Sequence, residues 1–447
     1  MNNQIRIYGI FSLILWLGFG IMGQHIIADT LNVYFIILLF ILSYFVILKY
    51  TSRKNSAFYT EHNLRKIVFW YSIIGVAILN ILYFTHDGTF FSYNAVDELL
   101  YDKDGRLFAS LPFYKGIVFL LNRDVPYDDL GAILYVGTIY RIIESPLLVH
   151  FLNIIFGTIS ATILFRIGRL IMSARYAFIT SLAFFLSSFI IYYESIGLKE
   201  TFFLMLVLIT FYNYYLFLIK RKMHNFYIAL FFGAAILLFR PAVLGMTVIS
   251  LGIGTLLFYS VGLRNIIISI ILAITFISFF DTFKHLFSSF SSFQQSILYR
   301  SDAVEKSTEK IAIATAFTSS LIGPLPTILP RVENVNQSLY AAGLLMRVLL
   351  AAPFWFGVVY IIKHRIKFFY GFLAMILIES AALVYIMESY ELRYHLFHLP
   401  FVFLIAFFYL SEIATYSKIK YRRTIHQLFA FTCFLILLVL YWNFRVL

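Results

Sequence analysis

Two pairs of carboxylates lie in the polar stretch that follows the apolar run at 67–85. Asp97 and Glu98 come first, and Asp128 and Asp129 follow further along the chain. If the run crosses a membrane, the first pair lies at the membrane boundary, where partial desolvation raises the pKa of a carboxylate toward neutrality. Such a group can accept a proton from an attacking hydroxyl. We therefore predict Asp97 as a general base and Glu98 as the second choice, although acidic residues also serve as solvated surface or helix caps.

A second group of ionisable residues, Lys199 and Glu200, opens a later hydrophobic helix directly after Tyr192-Tyr193-Glu194. Charges among apolar neighbours are costly unless they are paired or face a wet cavity. Lys199, at a helix N-terminus, could bind a phosphate, and Glu200 could orient a substrate hydroxyl or the base. An ion pair that only neutralises both charges requires the same geometry, so both interpretations stay open.

A third group lies between Glu388 and Pro400, where Arg393, His395 and His398 follow one another closely. They could form a cationic surface for a phosphate or pyrophosphate group, and snorkelling to lipid head groups is the alternative for the arginine. Two histidines three residues apart are a weak metal pattern without further ligands. We predict no metal site and no required cofactor; a divalent cation is compatible with the sequence but not indicated.

The composition indicates that membrane-spanning helices position these groups. Of 447 residues, 61% are hydrophobic and 13% are charged, with a mean hydropathy of +0.87, whereas soluble domains carry roughly a quarter charged residues. The net charge of +13 resides largely in short loops between apolar runs, which argues for helix orientation and against nucleic-acid binding. Cys433 is the single cysteine, so no internal disulfide can form. The predicted fold class is an all-α polytopic integral membrane protein.

Apolar runs of about 20 residues recur along the chain, each long enough to cross a hydrocarbon layer about 30 Å thick. They predict about thirteen membrane-spanning helices, at 8–27, 33–50, 67–85, 148–165, 176–193, 201–219, 225–240, 242–260, 265–281, 341–362, 368–387, 399–416 and 425–443. In-plane amphipathic helices are expected in the two long connections, 86–147 and 282–340, with the clearest pattern at 130–143. We interpret residues 1–447 as one membrane domain.

Within that domain, 1–66 would hold two additional N-terminal helices, 67–281 a core and 341–447 the C-terminal helices. Lysine and arginine collect in alternate loops, at 53–66, 166–175, 220–222, 363–367 and 418–423. Because basic loops remain cytoplasmic, the N-terminus is predicted inside and the long connections outside. The abundance of Phe, Ile and Tyr favours a low-GC bacterial genome, and hence a multi-pass protein of the bacterial cytoplasmic membrane.

Several further ionisable residues fall near the outer face in this topology. Arg240, Arg300, Arg331 and Arg347 would make that face unexpectedly basic, which argues for an anionic ligand there. Glu379 lies inside a predicted span, where a carboxylate must be protonated, paired or facing water.

Taken in order, these features resemble the C-type (GT-C) membrane glycosyltransferases that use polyprenyl-phosphate sugars, a superfamily that includes protein mannosyltransferases and lipid A aminoarabinose transferases. The resemblance is best over 67–260. It rests on Asp97-Glu98, on Tyr127-Asp128-Asp129-Leu130-Gly131 through Tyr135, on Ser145-Pro146-Leu147-Leu148 with Leu152-Asn153, on Arg166 to Arg175, on Tyr192-Tyr193-Glu194 leading to Leu198-Lys199-Glu200, and on Glu391-Leu392-Arg393-Tyr394 ending in Pro400.

The resemblance implies inversion at the anomeric carbon of the sugar, with a carboxylate of the first outer loop as general base and a basic outer site for the lipid phosphate. Asp97 matches the position of that base, and Asp128 or Asp129 an acceptor-side or second acidic role. The chain departs from the pattern in its two additional N-terminal helices and in an acidic pair that reads Asp-Glu rather than Asp-Asp.

The expected function is transfer of a sugar or glycan from an undecaprenyl-(pyro)phosphate-linked donor to an acceptor on the outer face, in cell-surface polysaccharide assembly. The expected partners are that donor, a glycan or lipid acceptor and membrane lipids. One alternative is a polymerase of polysaccharide repeat units, in which Arg300 and Arg331 would matter more than Asp97. A second alternative is a flippase or transporter of lipid-linked glycans, which would depend on Glu379 and tolerate changes at Asp97.

Overall fold

The computed structural model describes most of 42–50 and residues 56–92, 95–122, 127–259, 335–385 and 392–444. Across these ranges the chain is helical and contains no strand, which confirms the all-α fold class. The α-helices, numbered in chain order, are α1 Glu61–Asp87, α2 Asp97–Ser110, α3 Phe113–Leu121, α4 Tyr127–Tyr140, α5 Pro146–Arg169, α6 Ala174–Phe185, α7 Ser188–Glu194, α8 Glu200–Lys220, α9 Met223–Leu237, α10 Pro241–Phe258, α11 Val335–Lys363, α12 Tyr370–Tyr385, α13 Leu392–His395, α14 Leu399–Ile413 and α15 Lys418–Phe444.

Local chemistry accounts for several helix boundaries. The hydroxyl of Thr60 accepts a hydrogen bond from the backbone N–H of Asn63 and caps the start of α1. Gly88, with φ of 68°, ends the same helix in the left-handed conformation that glycine adopts without strain. Pro146 and Pro241 stand at the first positions of α5 and α10, where a missing N–H costs no hydrogen bond.

Six helices of the described ranges are long and apolar enough to cross a membrane, and the bent pair α6 and α7 can form a seventh span. The six segments are Glu61–Thr85, Pro146–Arg169, Glu200–Lys220, Pro241–Phe258, Met346–Lys363 and Lys418–Val439. The chain is therefore a multi-pass helical membrane protein. Three predicted spans, 225–240, 368–387 and 399–416, correspond to the shorter helices α9, α12 and α14. The predicted spans 8–27 and 265–281, and most of 33–50, lie outside the described residues, so the count of thirteen stays a prediction.

The predicted span 176–193 is not one straight helix. It is divided into α6 and α7, which meet at an angle of 59°. At the break, the hydroxyl of Ser187 donates a hydrogen bond to the carbonyl of Ala183 over 2.8 Å. A serine that bonds back to the preceding turn competes with the helical ladder and bends the helix.

The first long connection contains three helices, α2 to α4, where the sequence pattern indicated one amphipathic helix at 130–143. Glycines allow α2 and α4 to approach closely. A Cβ added to Gly105 would meet the side chain of Val136 at 2.7 Å, and one added to Gly137 would meet Phe108 at 2.6 Å. Small residues at helix crossings permit such contact. Most of the described α4 side chains are buried in protein, and the in-plane orientation expected of this segment stays a prediction.

Contacts between helix ends define two opposite ends of the bundle. At one end, Arg166 pairs with Glu61 at 2.8 Å, and the Tyr360 hydroxyl donates to Glu412 over 2.9 Å. These contacts join the start of α1 to the end of α5, and the end of α11 to the end of α14. The basic loops at 166–175, 220–222 and 363–367 belong to this end, which we call the basic end. Helices α2 to α4 and the turn at 195–199 lie at the opposite end.

Candidate functional site

Glu98 is the buried carboxylate at the start of α2. Its side chain is only 4% exposed, and α2 is not among the membrane-spanning helices. The Ser92 hydroxyl donates a short hydrogen bond to it, and the backbone N–H of Gly197 donates to Oε2 over 3.2 Å. Burial raises the pKa of Glu98 to about 7; the hydrogen bonds from Ser92 and Gly197 limit that rise, and the charge of Asp97 adds to it. Glu98 can therefore exchange a proton near neutral pH.

Asp97 has a different environment from its neighbour. Its side chain is 44% exposed, and Oδ2 accepts a hydrogen bond from Nη1 of Arg393 at 2.6 Å. Arg393 also donates from Nη2 to the hydroxyl of Tyr394 over 2.9 Å. The pair brings α2 and α13 together. It leaves Asp97 as an ion-pair partner at a half-exposed position rather than a desolvated base.

Arg240 and Glu200 form a second ion pair, deeper in the protein. Nη2 of Arg240 lies 3.4 Å from Oε1 of Glu200, and their side chains are only 13% and 3% exposed. The guanidinium of Arg240 also lies over the ring of Tyr394, at 4.7 Å from its centroid. Tyr394 thus contacts both Arg240 and Arg393, so two cationic side chains from distant parts of the sequence share one aromatic ring.

Lys199 is buried and lies over the ring of Tyr101 in α2, at 5.8 Å from its centroid. The sequence left open whether Lys199 and Glu200 neutralise each other. In the structure Glu200 pairs with Arg240 across the gap between α8 and the start of α10. Lys199 and Glu200 are therefore both placed at the candidate site, but they face different helices.

His395 and His398 are fully buried, with ring centroids 5.2 Å apart. Nδ1 of His398 lies 3.2 Å from Oε2 of Glu379, and Nη2 of Arg347 lies 3.5 Å from Nε2 of the same ring. The histidines therefore do not line an exposed cationic surface. Glu379, the carboxylate inside a helix, has His398 as its close polar neighbour.

The turn at 195–199 is attached to α5 by a buried asparagine. Nδ2 of Asn153 donates to the carbonyls of Ile196, over 2.9 Å, and Leu198, over 3.3 Å. Its Oδ1 accepts from the hydroxyl of Tyr135 over 2.8 Å. Sequence reasoning gave no role to Ser92. Asn153 and Tyr394 stood in motifs of the resemblance, but no role was assigned to either.

Glu194 lies at the end of α7, just before that turn. It is fully buried, beside Ser72 of α1 and against Gly157 of α5. A Cβ added to Gly157 would overlap Oε1 of Glu194. The absence of a side chain at Gly157 therefore provides the space that this carboxylate occupies.

Four residues named in the sequence analysis have side chains outside the described set. Asp128 and Asp129 are in the first turn of α4, but their side chains are outside the described set, and Arg300 lies outside the described residues, as does Arg331. Within the part of the chain that the structure describes, no group of three or more His, Cys, Asp or Glu side chains is arranged to hold a metal ion.

A small cavity of about 60 Å³ lies between α11, α12 and α14. Its mostly apolar lining includes Arg347, Trp355, Ile362, Leu373, Leu377 and Val402. The Arg347 side chain is buried, with Nη2 beside the ring of His398.

The structure thus defines a multi-pass helical membrane protein with a cluster of carboxylates, arginines and tyrosines at one end of its bundle. No protein-family model, no curated protein and no solved structure matches the chain.

Proposed function

We propose that the protein is an inverting membrane glycosyltransferase that takes its sugar from a polyprenyl-(pyro)phosphate-linked donor. In the reaction, Glu98 accepts the proton of an acceptor hydroxyl while the oxygen forms a bond to the anomeric carbon. The bond from that carbon to the phosphate oxygen breaks at the same time, and the lipid (pyro)phosphate departs with the electron pair. The carboxylate that takes the proton is Glu98, where sequence reasoning ranked Asp97 first.

The observation that carries this proposal is the environment of Glu98. A general base works best when its pKa lies near the operating pH, and burial raises the pKa of Glu98 to about 7. Asp97 is half exposed and paired with Arg393, so it lacks the buried environment of Glu98.

Arg393 and Arg240 supply the charge that a departing phosphate requires. Both approach the Tyr394 ring, at 4.8 and 4.7 Å, and an arginine binds phosphate oxygens in a bidentate manner. A phosphate that reaches Arg393 competes with Asp97 for the same guanidinium. Binding of the donor would therefore open the pair beside Glu98 and admit the acceptor.

Arg393 and Arg240 lie at one end of a bundle of membrane-spanning helices, which supports a donor whose phosphate is attached to a membrane lipid. The basic loops gather at the opposite end of the bundle, and by the positive-inside rule this supports an extracytoplasmic position for the site.

The test is the surface glycan of a deletion strain complemented with wild type, Glu98→Gln, Asp97→Asn or the control Glu144→Gln, read by gel ladder and mass spectrometry. Glu144 is 55% exposed and pairs with Arg106 of the same region, so its change should be silent. We expect Glu98→Gln to remove the mass of one sugar. If Glu98→Gln leaves the glycan unchanged, the proposed base is wrong.

The same experiment separates the alternatives. Collapse of the ladder to single repeat units in Glu98→Gln would identify a repeat-unit polymerase. A glycan that survives Glu98→Gln and Asp97→Asn but is lost in Glu379→Gln would favour a flippase.

A further inference from the structure

The turn at 195–199 contributes one atom to Glu98, the backbone N–H of Gly197. Glycine in a turn has no side chain that could fix its orientation, so something else must hold this N–H toward the carboxylate. The two carbonyls that flank Gly197 in the sequence, those of Ile196 and Leu198, both accept hydrogen bonds from Asn153.

Asn153 uses its whole amide for this purpose. Its two N–H groups serve the two carbonyls, and its oxygen accepts from the Tyr135 hydroxyl. The side chain is fully buried. To satisfy all three partners, a side chain must offer two N–H donors and one acceptor. The amide of asparagine offers both, on a side chain short enough to fit here.

We propose that Asn153 is a positioning residue for Glu98, acting through the 196–198 turn whose Gly197 N–H it holds toward the carboxylate. The inference rests on the proposed function of Glu98. Tyr135 supports Asn153 from α4, so one chain of hydrogen bonds runs from α4 through α5 to the turn and ends at Glu98 of α2.

The physical consequence is specific. A hydrogen bond to the ionised carboxylate favours that form, so its loss raises the pKa of Glu98 further. Asn153 positions the Gly197 N–H and does not itself contact Glu98, so we expect a rise of about one pH unit. A residue that only maintains the fold would lower activity without moving that titration.

The experiment compares Asn153→Leu and Asn153→Asp with wild type in nanodiscs. Asn153→Leu removes all three hydrogen bonds at similar volume, and Asn153→Asp keeps the acceptor for Tyr135 but loses donors. The control Asn80→Leu changes another buried asparagine, which bonds His150 and is not part of this chain of hydrogen bonds. The pKa of Glu98 is measured by infrared titration of its carboxyl band, which is assigned by its disappearance in Glu98→Gln. In Asn153→Leu this pKa should rise by about one pH unit.

Hydrogen exchange of the peptide that contains 195–199 gives a second readout, which does not require activity. We expect faster exchange in Asn153→Leu and not in Asn80→Leu. Unchanged exchange together with an unmoved Glu98 titration would overturn the inference. If the Asn153 variants do not fold, Tyr135→Phe removes one bond of the same chain, and the same two readouts decide.

The two proposals fail separately. If Glu98→Gln keeps full activity, the proposed function is wrong, while a moved titration and faster exchange in Asn153→Leu would still establish the structural link. The rate of glycan transfer can also be measured as a function of pH, where the fall in rate at low pH reports protonation of the base. If Glu98→Gln is inactive and this fall occurs at the same pH in Asn153→Leu as in wild type, Asn153 is not a positioning residue.

Discussion

Arg393 donates a hydrogen bond to Asp97 over 2.6 Å, although 296 residues separate the two in the sequence. Both side chains are partly exposed, at 28% and 44%. Exposed ion pairs contribute little to stability, about 0–1 kcal/mol. The pair is therefore inexpensive to open, which suits a guanidinium that exchanges a carboxylate for the phosphate of a ligand.

Asp97→Asn should lower the pKa of Glu98, which sets the pH below which the rate of the proposed reaction falls. The charge of Asp97 raises the pKa of Glu98, so its removal favours the ionised base. The acid limb of the rate profile should shift to lower pH, and polyprenyl phosphate should bind more tightly because Arg393 loses its competitor. Complete loss of turnover in Asp97→Asn, with Glu98→Gln still active, would restore Asp97 as the base.

Glu98 should also make stability depend on pH. Burial raises its pKa from 4.5 to about 7, so between these values the folded state binds a proton that the unfolded state does not hold. Stability contributed by this proton is present below pH 4.5 and is lost as pH rises through about 7. In Glu98→Gln the melting temperature should fall less between pH 5 and pH 8 than in wild type. The same dependence of melting temperature on pH in both proteins would show that the pKa of Glu98 is not raised.

Arg240→Met should be strongly destabilising because it leaves the charge of Glu200 buried and uncompensated. Breaking a buried pair typically costs about 3–5 kcal/mol. The double variant Arg240→Met with Glu200→Gln should recover much of that loss, since both charges are then absent. Thermal melting of the two single variants and the double variant measures the coupling. Additive effects would mean that Arg240 and Glu200 do not interact.

Gly157→Ala should destabilise the bundle, because the new Cβ overlaps Oε1 of Glu194. Overpacking of a tight contact costs about 1–3 kcal/mol. Gly245→Ala is the matched control: that glycine also lies in a spanning helix, and a Cβ there meets nothing within 4 Å. Detergent melting should separate the two variants, and equal melting temperatures would contradict the close approach of Glu194.

Local properties of the chain were readable from the sequence. Six predicted spans, such as 67–85 and 201–219, correspond to helices that can cross a membrane, because hydrophobic length is a property of one segment alone. The ionisable residues at Glu98, Lys199 and Arg393 were also recognisable, since charges beside apolar helices are uncommon. Even the bend within 176–193 depends on a local feature, the serine at its break.

The roles of those residues depended on contacts between distant segments. Asp97 and Glu98 are neighbours in sequence, yet they point in different directions from α2. Glu98 meets the N–H of Gly197, 99 residues away, and Asp97 meets Arg393. Which of two adjacent carboxylates is desolvated is set by what packs against each face of the helix. The sequence by itself determined a helical membrane protein with ionisable residues beside its apolar helices. Only tertiary packing decided which of the two adjacent carboxylates is buried, because burial depends on the neighbours and not on the residue.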